Sequence, residues 1–141
     1  MLFRSDRLEN APNVVRLFAD YEAEELKLYR KTGIYTPMHV MVMSRKLDRD
    51  NPGLALKLYR AFEKSKEIAY QDIASDRAGF SVVYLRERFK EQQKAWGDPN
   101  GYGVRAIRPV VDAFVRYNVE QGAIRAALPY ERIFASGVLD T

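Results

Sequence analysis

The feature that most constrains the fold of this chain is a six-residue run, residues 38–43, that is apolar on both of its alternating faces. The run reads Met-His-Val-Met-Val-Met, a pattern typical of a β-strand that is covered on two sides. We therefore predict a strand over residues 35–45. Such a strand needs neighbours, and the sequence predicts few other strands that could pair with it.

Helical periodicity dominates the remainder of the sequence. Apolar residues recur at spacings of three, four and seven, which places them on one face of each predicted helix. Proline, glycine and capping residues supply the boundaries. The sequence alone thus predicts a mainly α-helical chain with one or two strands and four main helices, over about residues 13–31, 51–74, 80–96 and 109–122.

Composition restricts the class of protein. A length of 141 residues with 47% hydrophobic and 30% charged residues is expected for one globular domain. The sequence contains no apolar stretch near 20 residues, no cysteine and no secretory signal at its start, so we expect a cytoplasmic protein without a membrane span or disulfides. The single histidine, His39, argues against a histidine-rich metal site.

The excess of basic residues does not predict nucleic-acid binding. Lys and Arg number 23 against 19 acidic residues, with a net charge of +4 and an isoelectric point near 9.3. The basic residues alternate with acidic ones, for example over residues 63–67 and 86–91, as they do on solvated helix faces. We therefore predict no nucleic-acid partner.

No segment predicts a bound cofactor or metal ion. Residues 101–106 formally match a GxGxxA pattern, but they follow a predicted helix and lack the strand-turn-helix context of a dinucleotide loop. Asp48, Asp50 and Asn51 lack the glycine and distal glutamate of a calcium loop, so we interpret them as capping residues.

Three stretches in a fixed order resemble a known family. The first, residues 16–21, leads through 29–35 into 38–42; the second begins at Asn51 and Pro52 and continues through 58–63. The third runs from 102–104 through 114–117 to 120–122. This succession resembles the C-terminal part of the 4,5-dihydroxyphthalate decarboxylase family, whose members are similar to the type II periplasmic substrate-binding proteins.

The resemblance implies an α/β fold with two lobes around a cleft, of which residues 1–141 are a single domain or fragment. Family members are roughly twice as long as this chain, so it would match only their second half. The strand at 35–45 would then be one that returns from one lobe to the other. The chain would be a truncated product, a fragment, or a subunit completed by association.

His39 is the leading candidate for catalysis. Histidine exchanges protons near neutral pH, and the family has a Met-His pair at the matching position. Decarboxylation of a dihydroxy aromatic acid needs a proton delivered to the ring carbon that loses carbon dioxide. The alternative is a buried structural histidine that is hydrogen-bonded to the backbone.

Two further residues are candidates for binding the substrate. Arg45 could pair with a substrate carboxylate through two parallel hydrogen bonds, although an arginine at a strand end can equally be a solvated flank. Tyr35 falls on the same strand face as His39, but the family usually has phenylalanine there.

The resemblance therefore implies a decarboxylase of a small aromatic dicarboxylic acid that uses no cofactor. The alternatives are a non-catalytic module that binds a small molecule, since the same cleft serves capture as well as chemistry, and an inactive remnant.

Assembly follows from the unpaired strand. Its backbone groups need partners on both edges, so we predict a homodimer in which the strand at 35–45 pairs with its copy about a two-fold axis. The alternative is a monomer in which the segment from Met1 to Glu9 folds back as a partner strand.

Overall fold

The computed structural model describes residues 11–35 and 39–141, and within them all regular structure is helical. The last α-helix is a single turn and is followed by a short 3-10 helix. The elements are α1 (Tyr21–Thr32), α2 (Arg45–Asp50), α3 (Leu54–Ala74), α4 (Leu85–Trp96), α5 (Val104–Glu120), α6 (Tyr130–Ile133) and the 3-10 helix (Ser136–Val138).

Local capping sets the bounds of α1. The carboxylate of Asp20 accepts a hydrogen bond from the backbone N–H of Ala23 at 3.0 Å, which satisfies one of the free donors of the first turn. The helix ends at Gly33, whose φ of +69° is the left-handed conformation that glycine adopts without strain. Helix α1 therefore begins later than residue 13, the predicted start, and ends where predicted.

Helix α3 is the centre of the packed part. It packs against α4 and against the 3-10 helix, and α1 packs against α4. Aromatic rings fill these contacts: Tyr70 of α3 lies 4.9 Å from Phe89 of α4, and Tyr29 of α1 lies 5.1 Å from Trp96. The hydroxyl of Tyr29 also donates a hydrogen bond to the carbonyl of Trp96 at 2.7 Å.

Helix α5 begins five residues before Pro109, its predicted start, because a distant residue caps it. The backbone N–H of Val104 donates to the hydroxyl of Thr141 at 3.2 Å, and the N–H of Arg105 donates to the carbonyl of Thr141 at 2.7 Å. Thr141 approaches so closely that a Cβ added at Gly103 would lie 2.9 Å from its carbonyl carbon. The first turn of α5 thus depends on a residue 37 positions away.

The predicted strand and the predicted α/β fold are wrong. Residues 39–44 are irregular and Arg45 begins α2, while residues 36–38 lie outside the described part. Val40 and Val42 are 69% and 85% exposed. No strand occurs among residues 11–35 and 39–141, so this segment has no ladder to join, and an apolar alternation without a partner does not form a sheet. The segment from Met1 to Glu9, proposed as a fold-back strand, also lies outside the described residues.

The apolar surface of the chain is largely uncovered. Of the described apolar side chains, only Phe89 and Val104 are buried. The solvent-accessible surface is 12029 Å², whereas a folded monomer of this mass exposes roughly 7,500 Å². No helix in the described ranges combines the length and the apolar character needed to cross a membrane.

Candidate functional site

The three residues predicted for catalysis and binding lie on the connection between α1 and α3. Tyr35 follows the end of α1, and its ring stands edge-on to Trp96 of α4 at 5.2 Å. Its own exposure is 40%. Tyr35 is therefore tied to the end of α4 by an aromatic contact, a position that sequence alone does not reveal.

His39 and Arg45 are exposed to solvent. His39 lies in irregular backbone and not in a strand. Arg45 is the first residue of α2, after Ser44, whose hydroxyl accepts a hydrogen bond from the N–H of Leu47 at 3.2 Å. Over the described ranges, no hydrogen bond, ion pair or ring contact joins any two of Tyr35, His39 and Arg45. The structure places the three on one connection without assembling them into a site.

A polar cluster that the sequence analysis missed surrounds Lys66 of α3. The side chain of Lys66 is only 12% exposed. Its ammonium group donates to Glu63 at 3.1 Å, to Asp98 at 2.8 Å and to the carbonyl of Asn100 at 3.3 Å. It also lies 5.2 Å from the ring centre of Tyr102. The residue predicted as part of a solvated face instead holds the loop after α4 against α3.

Tyr70 and Asn100 complete this cluster around Asp98. The hydroxyl of Tyr70 donates to Asp98 at 2.8 Å and accepts from the side-chain amide of Asn100 at 3.0 Å. The backbone N–H of Asn100 donates to the Asp98 carboxylate at 3.1 Å. This last bond is the local turn that aspartate favours two residues before its donor, so the Asp-Pro-Asn sequence was the one signal that could have located the cluster.

The charges in the cluster reinforce one another. Burial alone lowers the pKa of Lys66, but hydrogen bonds to Asp98 and Glu63 outweigh it and raise that pKa above its usual value. Burial raises the pKa of Asp98, but Lys66 and Tyr70 hold it below its usual range. The lysine is therefore kept as an ammonium ion and the aspartate as a carboxylate. A lysine in this state is no nucleophile, and its contacts with Asp98 and Asn100 hold the loop after α4 against α3.

A second polar contact borders an open groove beside α5. The hydroxyl of Tyr130 donates to Asp112 at 2.6 Å, and the Arg108 guanidinium lies 4.3 Å above the Tyr130 ring. Burial and the bond to Asp112 raise the pKa of Tyr130 to about 12. The groove has a volume of about 480 Å³, and its lining includes Val115, Val119, Ala127 and Leu128.

Neither feature provides the donors of a metal centre. Within residues 11–35 and 39–141, no group of three or more histidine, aspartate or glutamate side chains lies close enough to hold a metal ion. Every buried side-chain nitrogen and oxygen in the same ranges has a hydrogen-bond partner.

Comparison with known proteins gives one distant relation. No model of a known protein family matches the chain. Over 132 residues, or 92% of its length, the chain is 24% identical to a 4,5-dihydroxyphthalate decarboxylase of Comamonas testosteroni. The chain spans only 40% of the length of that relative. The match supports a distant relation to a decarboxylase of an aromatic acid and does not establish membership of its family.

Proposed function

We propose that this chain belongs to an enzyme that decarboxylates an aromatic dicarboxylic acid similar to 4,5-dihydroxyphthalate. The observation that carries the proposal is the match to such a decarboxylase along 92% of the chain. The helices described here add a scaffold, in which the Lys66 cluster and the aromatic contacts of Trp96 fix the positions of α1, α3 and α4.

In this proposal His39 delivers the proton that replaces carbon dioxide on the aromatic ring. The exposure of His39 leaves its imidazole accessible to a substrate. Loss of carbon dioxide leaves an electron pair on the ring carbon, and a positioned acid quenches that pair as it forms. Arg45 would hold the second carboxylate, since a guanidinium group matches its planar geometry.

The connection that carries His39 and Arg45 is exposed to water, and exposure to water disfavours this reaction. Water stabilises the ground-state carboxylate and competes with every charged contact, whereas a closed site strengthens those contacts. Because the chain spans 40% of its relative, we propose that additional polypeptide closes the site over His39 and Arg45.

The direct test is release of carbon dioxide from 4,5-dihydroxyphthalate, measured with the longest protein that contains this sequence. We expect His39→Gln to lower kcat by about 100-fold or more, the usual contribution of a general acid. Val42→Gln, which introduces the same side chain on the same exposed connection, serves as the matched control and should retain activity. Equal rates in the two variants would exclude His39 as the acid.

The role of Arg45 has its own matched control on the same helix. We expect Arg45→Gln to raise KM more than it lowers kcat, because the lost contact holds the substrate before and during reaction. Arg49→Gln alters the other arginine of α2, which pairs with Asp50 at 3.4 Å, and should leave KM unchanged. A rise in KM in both variants would indicate a general effect of charge.

A non-catalytic binding function is the second candidate, and the open groove beside α5 favours it. Its lining combines apolar residues with charged ones, among them Arg116 and Glu120, a combination that is common in small-molecule sites. Calorimetric titration with phthalate, which lacks the two ring hydroxyls, separates binding from turnover. Heat of binding without any release of carbon dioxide from 4,5-dihydroxyphthalate would support the binding module over the enzyme.

A further inference from the structure

The ring of Trp96 links the connection that carries His39 to the end of α4. Helix α1 ends at Thr32, so Tyr35 lies beyond the helix, and its edge-on contact with Trp96 at 5.2 Å belongs to the connection. Tyr29, inside α1, meets the same indole ring at 5.1 Å. Tilted and edge-on arrangements of this kind are favourable for aromatic rings. Trp96 therefore contacts both the helix and the chain that leaves it.

Trp96 is itself held from two sides. Its carbonyl accepts a hydrogen bond from the hydroxyl of Tyr29 in α1 at 2.7 Å. Two residues later, Asp98 accepts hydrogen bonds from Lys66 and Tyr70 of α3, each at 2.8 Å. The end of α4 is thus bonded to α1 and to α3, and a ring supported in this way can hold the connection in one place.

We propose that Trp96 is a positioning residue for His39 and that it acts through its contact with Tyr35. This inference rests on the proposed function of His39 as the proton donor. His39 follows Tyr35 by four residues, so the two Cα atoms lie at most about 14 Å apart. Holding Tyr35 against Trp96 confines His39 to this distance, and a general acid works only within hydrogen-bond reach of the atom that it protonates.

Arg45, the proposed ligand of the substrate carboxylate, is held separately. It begins α2, and the hydroxyl of Ser44 caps the first turn of that helix. Loss of the Trp96 ring should therefore disturb the acid more than the contact that binds the substrate. The expected signature is a fall in kcat with little change in KM.

The rate of carbon dioxide release from 4,5-dihydroxyphthalate, measured with the longest protein that contains this sequence, tests the proposal. We expect Trp96→Leu to lower kcat by about 10- to 100-fold and Trp96→Phe, which keeps an aromatic ring, to recover most of it. Phe134→Leu is the matched control, since it removes another half-buried ring, stacked on Tyr130 at 5.7 Å, and should retain kcat. An unchanged kcat in Trp96→Leu, or equal losses in both leucine variants, would overturn the proposal.

Non-additivity separates positioning from a general loss of folding. We expect Tyr35→Leu to lower kcat as Trp96→Leu does, and the double variant to lose no more than either. In the His39→Gln background Trp96→Leu should cause no further loss, because no acid remains to be positioned. A further loss of about 10-fold there would overturn the role of Trp96. A parent protein that releases no carbon dioxide, or that His39→Gln equals, would instead overturn the proposed function.

Fluorine NMR of protein labelled with 5-fluorotryptophan tests the contact without reference to activity. Trp96 is the one tryptophan among the 141 residues, and loss of its resonance in Trp96→Phe assigns it. We expect Tyr35→Leu to shift this resonance, because the tyrosine ring lies against the indole, and Phe134→Leu to leave it in place. An unshifted resonance in Tyr35→Leu would overturn the proposal even where His39→Gln supports the proposed function.

Discussion

At the scale of single residues, Lys66 shows how a largely buried ammonium group is stabilised by its hydrogen-bond partners. Two carboxylates and a carbonyl surround the ammonium group. Removing one partner of such a group costs more than the pair contributes, because the other charge is left without a partner. The residues of the cluster should therefore respond unequally to substitution.

We expect Asp98→Asn to destabilise the chain by about 1 kcal/mol at neutral pH, a value reduced by the partial exposure of Asp98. The folded pKa of Asp98 is lowered, so its contribution is present above the unfolded pKa and is lost as the pH falls through the folded one. Urea unfolding between pH 7 and pH 3 should show a smaller loss of stability in Asp98→Asn than in the parent chain. Glu67→Gln, which breaks an exposed pair with Lys64, is the control, and an equal change in both would contradict the special role of Asp98.

Gly103 is a residue at which we expect a single added methyl group to destabilise the folded chain. Its φ of +96° and ψ of 158° belong to a region that is nearly restricted to glycine, and Thr141 occupies the space of a Cβ. We expect Gly103→Ala to cost about 1–3 kcal/mol in the free energy of unfolding. Gly79→Ala meets no atom within 4 Å and should be neutral or slightly stabilising. Similar costs at both positions would refute the contact with Thr141.

At the scale of elements, Pro109 removes one backbone hydrogen bond from a helix that continues through it. It lies inside α5 and has no N–H to donate to the carbonyl of Arg105. We expect Pro109→Ala to raise the free energy of unfolding by about 1–3 kcal/mol. Thermal melts followed by circular dichroism measure the change. Pro129→Ala is the contrast, because Pro129 precedes α6 at a φ of −65° that suits proline, and it should be neutral or destabilising. A loss of stability in Pro109→Ala would show that the proline has a packing role.

The helices show which parts of the fold the sequence could predict. Periodicity located four of them, and Gly33 and the end of α3 agree with expectation because these stops are local. The start of α5 was missed because its cap, Thr141, is distant in sequence. The prediction of a strand over residues 35–45 was wrong for a related reason. Alternation indicates which faces are apolar, but a strand forms only where another strand supplies hydrogen bonds.

The sequence predicted which residues are candidates for the site, but not how they are arranged or exposed. His39 stands out as the only histidine, and Tyr35 and Arg45 follow from a family resemblance that the comparisons support in part. Their exposure could not be predicted, because it depended on the strand assignment. The Lys66 cluster was missed because an alternation of charges looks the same whether its lysine is solvated or enclosed by a loop.

At the scale of the whole molecule, the uncovered surface predicts unusual unfolding. The slope of unfolding free energy against urea scales with the surface that unfolding exposes, and is about 1–3 kcal/mol per molar for small proteins. Since only Phe89 and Val104 are buried apolar residues in the described part, we expect the slope for the 141-residue chain to fall at or below the lower limit of this range. A slope near the upper limit would contradict the small buried core.

The contact between Thr141 and α5 also has a consequence for synthesis. The ribosome makes Thr141 21 residues after Glu120, the last residue of α5, which at about 5–20 residues per second takes roughly 1–4 s. During that interval the nascent α5 has its apolar residues but not the cap that closes its first turn. Until translation reaches Thr141, the first turn of α5 lacks its cap. The apolar side chains of the helix are then accessible to a chaperone that binds apolar segments.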